Sequence, residues 1–243
     1  IAITPKTTNA GAGALTAGTT LTISGGSTVD PTGNLSSVGN MALSGSGRLT
    51  LNGITAAVSG TGTLTLAGGT YENTNGGLEI ITSNVTTKAG AISITGNASA
   101  GWGFNLRTTS KIQSTTGAIT ITGNAPSNVW GGELGAVNIL TDSGAITVDG
   151  KTSYGVRVGQ LATTNFGALA PETSSSNIQV IGNVYSDANS SAVKYRTSGT
   201  VVIESTGTAF LAAPTIKSHT FDGNSSVRIG ATTNTSAVTV NGT

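Results

Sequence analysis

The sequence predicts an all-β solenoid, a chain wound into stacked coils of about 20–30 residues, and three observations predict it. The first is a fixed step. Ile92 and Ile94, Ile119 and Ile121, and Ile146 and Val148 recur at a constant step of 27, inside near-copies of one phrase at Gly90 to Asn97, Gly117 to Asn124 and Gly144 to Gly150. The second is an independent apolar column with the same step, Val85, Ile112 and Ile139. The third is alternation of apolar and hydroxyl residues within each phrase, a period of two that belongs to short strands. Ile and Val are expected to face in, and Ser and Thr to face out.

In chain order, Leu21-Thr22-Ile23 and Met41-Ala42-Leu43 read as strands at a step of 20. Ser44 to Gly53 and Ser59 to Gly68 share the pattern S-G-x-G-x-L-T-L-x-G at a step of 15, a hairpin-length or partial-coil spacing. Beyond the central phrases the strand pattern returns at Ile178-Gln179-Val180, Val201-Val202-Ile203, Val227-Arg228-Ile229 and Val238-Thr239-Val240. The expectation is one solenoid over 1–243, with shorter or irregular coils in 1–80 and coils of about 26–32 residues in 81–243. Gly and Asn close the strands at Gly25-Gly26, Gly68-Gly69, Gly96-Asn97, Gly123-Asn124 and Gly182-Asn183, which suits corners that need φ above zero. The five Pro all stand among small residues and outside the repeated phrases.

Composition narrows the function classes. Only 9% of residues are charged and 4% aromatic, far from an ordinary globular mixture, yet the 36% that are hydrophobic alternate too regularly for a disordered chain. Eleven Lys and Arg against ten Asp and Glu give a net charge of +1, and the cations are spread almost one per coil, so no basic stripe for nucleic acid forms. No apolar run is long enough to span a membrane, and no signal-like segment stands at Ile1. Apolar strands run close to both ends, which suggests a piece of a longer stack or a subunit that docks end to end.

The phrases Gly90 to Asn97, Ser59 to Gly69 and Gly117 to Asn124 resemble the strand repeats of large secreted bacterial adhesins, the filamentous-haemagglutinin-like two-partner-secreted exoproteins and autotransporter passengers. The resemblance covers most of the chain. It implies a right-handed parallel β-helix, an extracellular or cell-surface location, and a role in attachment, biofilm or aggregation. The partners it implies are a cell-surface glycan or protein receptor, or copies of the chain itself in a homopolymer.

Catalytic and ligand chemistry finds little footing in these residues. Asp142 and Asp149 are near in sequence, but in the repeat register they stand over Lys88 and Thr115, and over Thr95 and Thr122, so no acid stacks on another. His219 is the single histidine, and the G-x-G stretches lie in hydroxyl-rich turns with no helix after them. No catalytic, metal or cofactor residue is therefore assigned, and the chain reads as a non-enzyme that needs no cofactor. Trp102, Trp130 and Tyr154 follow Ile92, Ile119 and Ile146, the leading Ile of their coils, at offsets of 10, 11 and 8, and are candidates, with Phe166, for glycan or receptor contact. The step from Ile146 to Ile178 is 32 rather than 27, so five extra residues must bulge within Leu161 to Ser176, either as a protruding contact loop or as one folded back on the stack. Seven N-x-[ST] sequons, at Asn34, Asn84, Asn97, Asn189, Asn224, Asn234 and Asn241, are candidates for glycosylation. The leading reading is an extracellular structural or adhesive solenoid. The alternatives are a self-assembling filament or sheath subunit, a polysaccharide-active β-helix enzyme, and an ice-binding solenoid carried by the outward Ser and Thr rows.

Overall fold

The computed structural model describes residues 1–3, 13–72, 76–126, 129–151, 155–159, 161–169, 172–182, 185–187, 192–205, 215–216, 219–223, 226–230 and 239–240. Among these there is no helix, and the strands form two fully parallel sheets, one of ten strands and one of fifteen. The chain is a parallel β-solenoid. A strand that repeats once per coil finds its equivalent one coil away, so like residues stack on like along the whole axis.

The repeat read from sequence is the rung spacing of the ten-stranded sheet. Ile92, Ile94 and Asn97 pair with Ile119, Ile121 and Asn124, and Ile119 and Ile121 pair with Ile146 and Val148. The Leu21 to Met41 step is also a true rung. The step of 15 is a partial coil: Leu49–Asn52 pairs with Leu78–Ile81 in the larger sheet, whereas Leu64–Tyr71 belongs to the smaller one. One coil after residue 80 is shorter than expected, since Ile178 pairs with Val201 at a step of 23.

The fifteen-stranded sheet bends into two faces. The long strands Phe104–Ser114 and Gly132–Thr141 cross the bend, and the shorter coils break there. The bend is made by left-handed residues at one corner, Gly53, Thr82, Thr108 with Thr109, and Ala136. The pairing shifts between Arg107 and Ser110, because this coil carries one more residue at the corner than its neighbour.

The inward residues form one continuous apolar core from Ala17 to Ile203, with rows such as Leu64, Ile92, Ile119, Ile146 and Ile178 fully or almost fully buried. Each such side chain contributes about 1.5–3 kcal/mol, and no coil could bury its own row alone. The second column, Val85, Ile112 and Ile139, continues one further step of 27 to Phe166. Phe166 then stacks on Tyr195 (centroids 5.0 Å, planes 5° apart), and Tyr195 on Phe221 (5.0 Å, 9°).

Two features differ from the alternation rule. Thr87, Ser114, Thr141, Ser174 and Thr197 are buried hydroxyls on the core side, where the chain turns back toward the ten-stranded sheet. They stay because they serve the turn's own backbone: Gly117 N–H donates to Ser114 Oγ at 2.9 Å, Gly144 N–H to Thr141 Oγ1 at 3.0 Å, and Gly199 N–H to Thr197 Oγ1 at 2.9 Å.

The strand-closing glycines, in turn, are not left-handed residues. Gly25, Gly45, Gly68, Gly96, Gly123, Gly150 and Gly182 form an unbroken in-register row, and none has positive φ. Space is the reason. A Cβ on Gly68, Gly96 or Gly123 would overlap the carbonyl of Gly77, Gly103 or Gly131, the point where the excursion leaving the strand returns.

Candidate functional site

The excursions that leave the ten-stranded sheet at Gly68, Gly96, Gly123 and Gly150 return at a second glycine, Gly77, Gly103, Gly131 and Gly155, so the two ends of each meet in a narrow backbone neck. Trp102 and Trp130 sit at the return. Gly77 N–H donates to the Trp102 carbonyl, Leu78 N–H to the Gly103 carbonyl and Phe104 N–H to the Gly131 carbonyl, which places Trp102 and Trp130 at the same position of consecutive coils. Both are partly exposed. The flank expected from sequence thus exists for these two; Tyr154 lies outside the described residues.

Phe166 is not part of it. The sequence placed it in the inserted loop, but it lies on strand Thr164–Gly167 with 0% exposure, locked between Ile139 and Tyr195, and has no surface for a receptor. The inserted residues come after it. Gly167 still pairs with Leu140 and Arg196, and the register is recovered at Ser174, which bridges Thr197, so six residues, 168–173, are inserted there, and the net excess is five because Ser174 to Ile178 is one residue shorter than Thr141 to Ile146. Of the inserted residues, Ala168, Leu169 and Glu172 line a cleft of about 240 Å³ together with Gln113, Leu140 and Asp142, while Leu169 and Glu172 remain exposed. Leu140 points away from the core yet is only 6% exposed.

Downstream of the tryptophans runs a charged ladder that sequence reading missed. Glu79, Asn105 and Glu133 pair in register on the outward side of successive strands, followed by Arg157, and the first three are 2%, 0% and 3% exposed. Glu79 is held by the guanidinium groups of both Arg48 and Arg107. Arg48 also lies over the Tyr71 ring, 5.7 Å from its centroid. Glu133 has Arg157 at 3.5 Å. Burial pushes the Glu133 carboxyl above its ordinary value, with Arg157 and then Arg107 pulling it back. Asp149, on the ten-stranded sheet, is raised for the same reason, with Lys151 opposing.

Of the sequons, Asn84 is exposed on strand Asn84–Thr87. Asn97 is engaged on both sides, its Nδ2 donating to the Gly68 carbonyl at 2.8 Å and its Oδ1 accepting from Asn124 Nδ2 at 2.7 Å. Asn34 Oδ1 accepts from Thr55 N–H at 2.8 Å, so it braces the next coil. Asn189, Asn224, Asn234 and Asn241 lie outside the described residues. Among the described residues no group of three or more His, Cys, Asp and Glu gathers to hold a metal, and no helix is long and apolar enough to cross a membrane.

What this arrangement offers is a stack of parallel coils with an aromatic pair on one flank, a charged ladder beside it in sequence and a small cleft lined in part by the inserted residues. No family model matches the chain, and no curated protein or solved structure is similar to it at a significant level.

Proposed function

We propose that the chain is a non-enzymatic structural and adhesive β-solenoid of an extracellular bacterial surface protein or fibre, making contact with a cell-surface glycan or protein receptor through the Trp102 and Trp130 flank. One observation carries this reading: two partly exposed tryptophans occupy the same position of consecutive coils, each fixed by a backbone hydrogen-bonded neck. Equivalent positions on adjacent rungs are about 4.8 Å apart. Rigid aromatics at that spacing give contact area at little entropic cost, and their faces suit the C–H surfaces of sugar rings. The parallel stack supports the same reading, because its repeating rows build length and stiffness while the excursions are left to vary. A glycan array and a cell-attachment assay with the purified chain test it. Binding that falls at least tenfold in Trp102→Ala/Trp130→Ala, with an unchanged far-UV spectrum, is the expected result. Undiminished binding by that variant, or no binding by the parent chain to any glycan or cell surface, would refute it.

A further inference from the structure

The charged ladder contains two carboxylates on the same side of the same sheet, two rungs apart, in different surroundings. Glu79 is met by two guanidinium groups. Glu133 is met by one, Arg157, at 3.5 Å, and its Oε2 accepts no hydrogen bond. On the rung between them Asn105 is fully buried and pairs in register with Glu133, and neither its Oδ1 nor its Nδ2 has a partner. Buried amides are almost always satisfied, so both atoms call for an explanation.

An ionised carboxylate can only accept, whereas a protonated one also donates. A neutral carboxylic acid and a primary amide fit each other at two points: the acid O–H donates to the amide oxygen, and the amide N–H donates to the acid carbonyl. Side chains on adjacent rungs are about 4.8 Å apart at the backbone, within reach of such a pair. We propose that Glu133 holds a proton in the folded chain and forms this two-point pair with Asn105, making the rung a pH-responsive lock between consecutive coils. The proton supplies the donor that Asn105 Oδ1 lacks, and turning the two side chains onto each other gives Asn105 Nδ2 and Glu133 Oε2 their partners as well. The direction in which burial pushes the carboxyl agrees. Among the described residues the charged groups that face Glu133 are Arg157 on the following strand and Arg107 on the preceding one; its own strand, Gly132–Thr141, carries no other charge.

The sign follows from linkage. A carboxyl whose folded value lies above its unfolded one, 4.5, binds its proton more tightly when folded. Stability therefore rises as pH falls through the folded value, levels off below the unfolded one, and is lost again as pH rises. The lock closes as pH falls through the folded value and opens above it.

Carbon-13 NMR of the Glu133 side-chain carboxyl, assigned through its own backbone, tests this in the intact chain. The expected titration midpoint is clearly above the ordinary glutamate value, and the protection of the Asn105 side-chain amide protons, taken relative to their intrinsic exchange rate at each pH, should be at least tenfold greater below that midpoint than above it. Melting temperature should also rise between neutral pH and pH 4.5, the ordinary glutamate value, a rise that shrinks in Glu133→Gln and persists in Asp149→Asn. A Glu133 midpoint at or below the ordinary value, or Asn105 exchange indifferent to it, would overturn the proposal even if Glu133→Gln failed to fold.

Discussion

Gly123→Ala is expected to be among the most damaging single-methyl additions available in this chain. Gly123 is the fifth glycine of the seven-glycine row, with a row glycine on either side, and its φ is one that alanine adopts without strain. On conformational grounds alone, alanine should stabilise by about 0.4–1 kcal/mol through the unfolded chain. The structure reverses that sign. The new methyl would overlap the Gly131 carbonyl and press on the Phe104 ring, and neither can retreat: Gly131 N–H is tied to the Gly155 carbonyl at 2.8 Å, and Phe104 is fully buried. Overpacking of this kind costs typically about 1–3 kcal/mol, and more where backbone must move, so a net loss of about 2–3 kcal/mol is expected. Gly26→Ala is the control, because no atom beyond its own chain neighbours lies within 4 Å of the position a methyl would take there. Equilibrium urea unfolding followed by circular dichroism measures both. A Gly123→Ala chain as stable as Gly26→Ala would refute the steric reading of the row and restore the conformational one.

Two further outcomes follow from the corners. Thr82 is left-handed at φ 47°, where Gly53 of the preceding coil stands at the same corner, so Thr82→Gly should stabilise by about 1 kcal/mol in the same unfolding assay. Thr141→Val preserves shape but removes the acceptor of Gly144 N–H and the donor to the Thr115 carbonyl at 3.2 Å, and should cost about 1–3 kcal/mol, with faster amide exchange at Gly144.

The core was legible because packing repeats wherever the step does. Extending the column Val85, Ile112, Ile139 by one more 27 lands on Phe166, and that arithmetic on the sequence would have placed the ring inside rather than on a loop. The same step from Asn138 reaches Asn165, whose Nδ2 donates to Asn138 Oδ1 at 2.7 Å. The charged ladder was hidden because its rungs are unequal: the step from Glu79 to Asn105 is 26, from Asn105 to Glu133 it is 28, and from Glu133 to Arg157 it is 24. The two consecutive steps of 27 in the smaller sheet, from Ile92 to Ile119 and from Ile119 to Ile146, are themselves a compensation. The excursion from Gly123 to Gly131 is one residue longer than that from Gly96 to Gly103, and the coil with the shorter excursion carries the additional left-handed threonine at the bend.

By itself the sequence determined the class of fold, the strand phrases and most of the inward rows, since a hydrophobic residue repeated at a fixed step has one economical place to go. It also located the insertion and the tryptophan flank to within a few residues. Only the tertiary structure decided why the row glycines must be glycine, which hydroxyls turn inward, and which acids and arginines meet. Those depend on how closely two backbones pass at each neck and bend. Such distances accumulate from excursions of unequal length, and no periodicity in the chain records them.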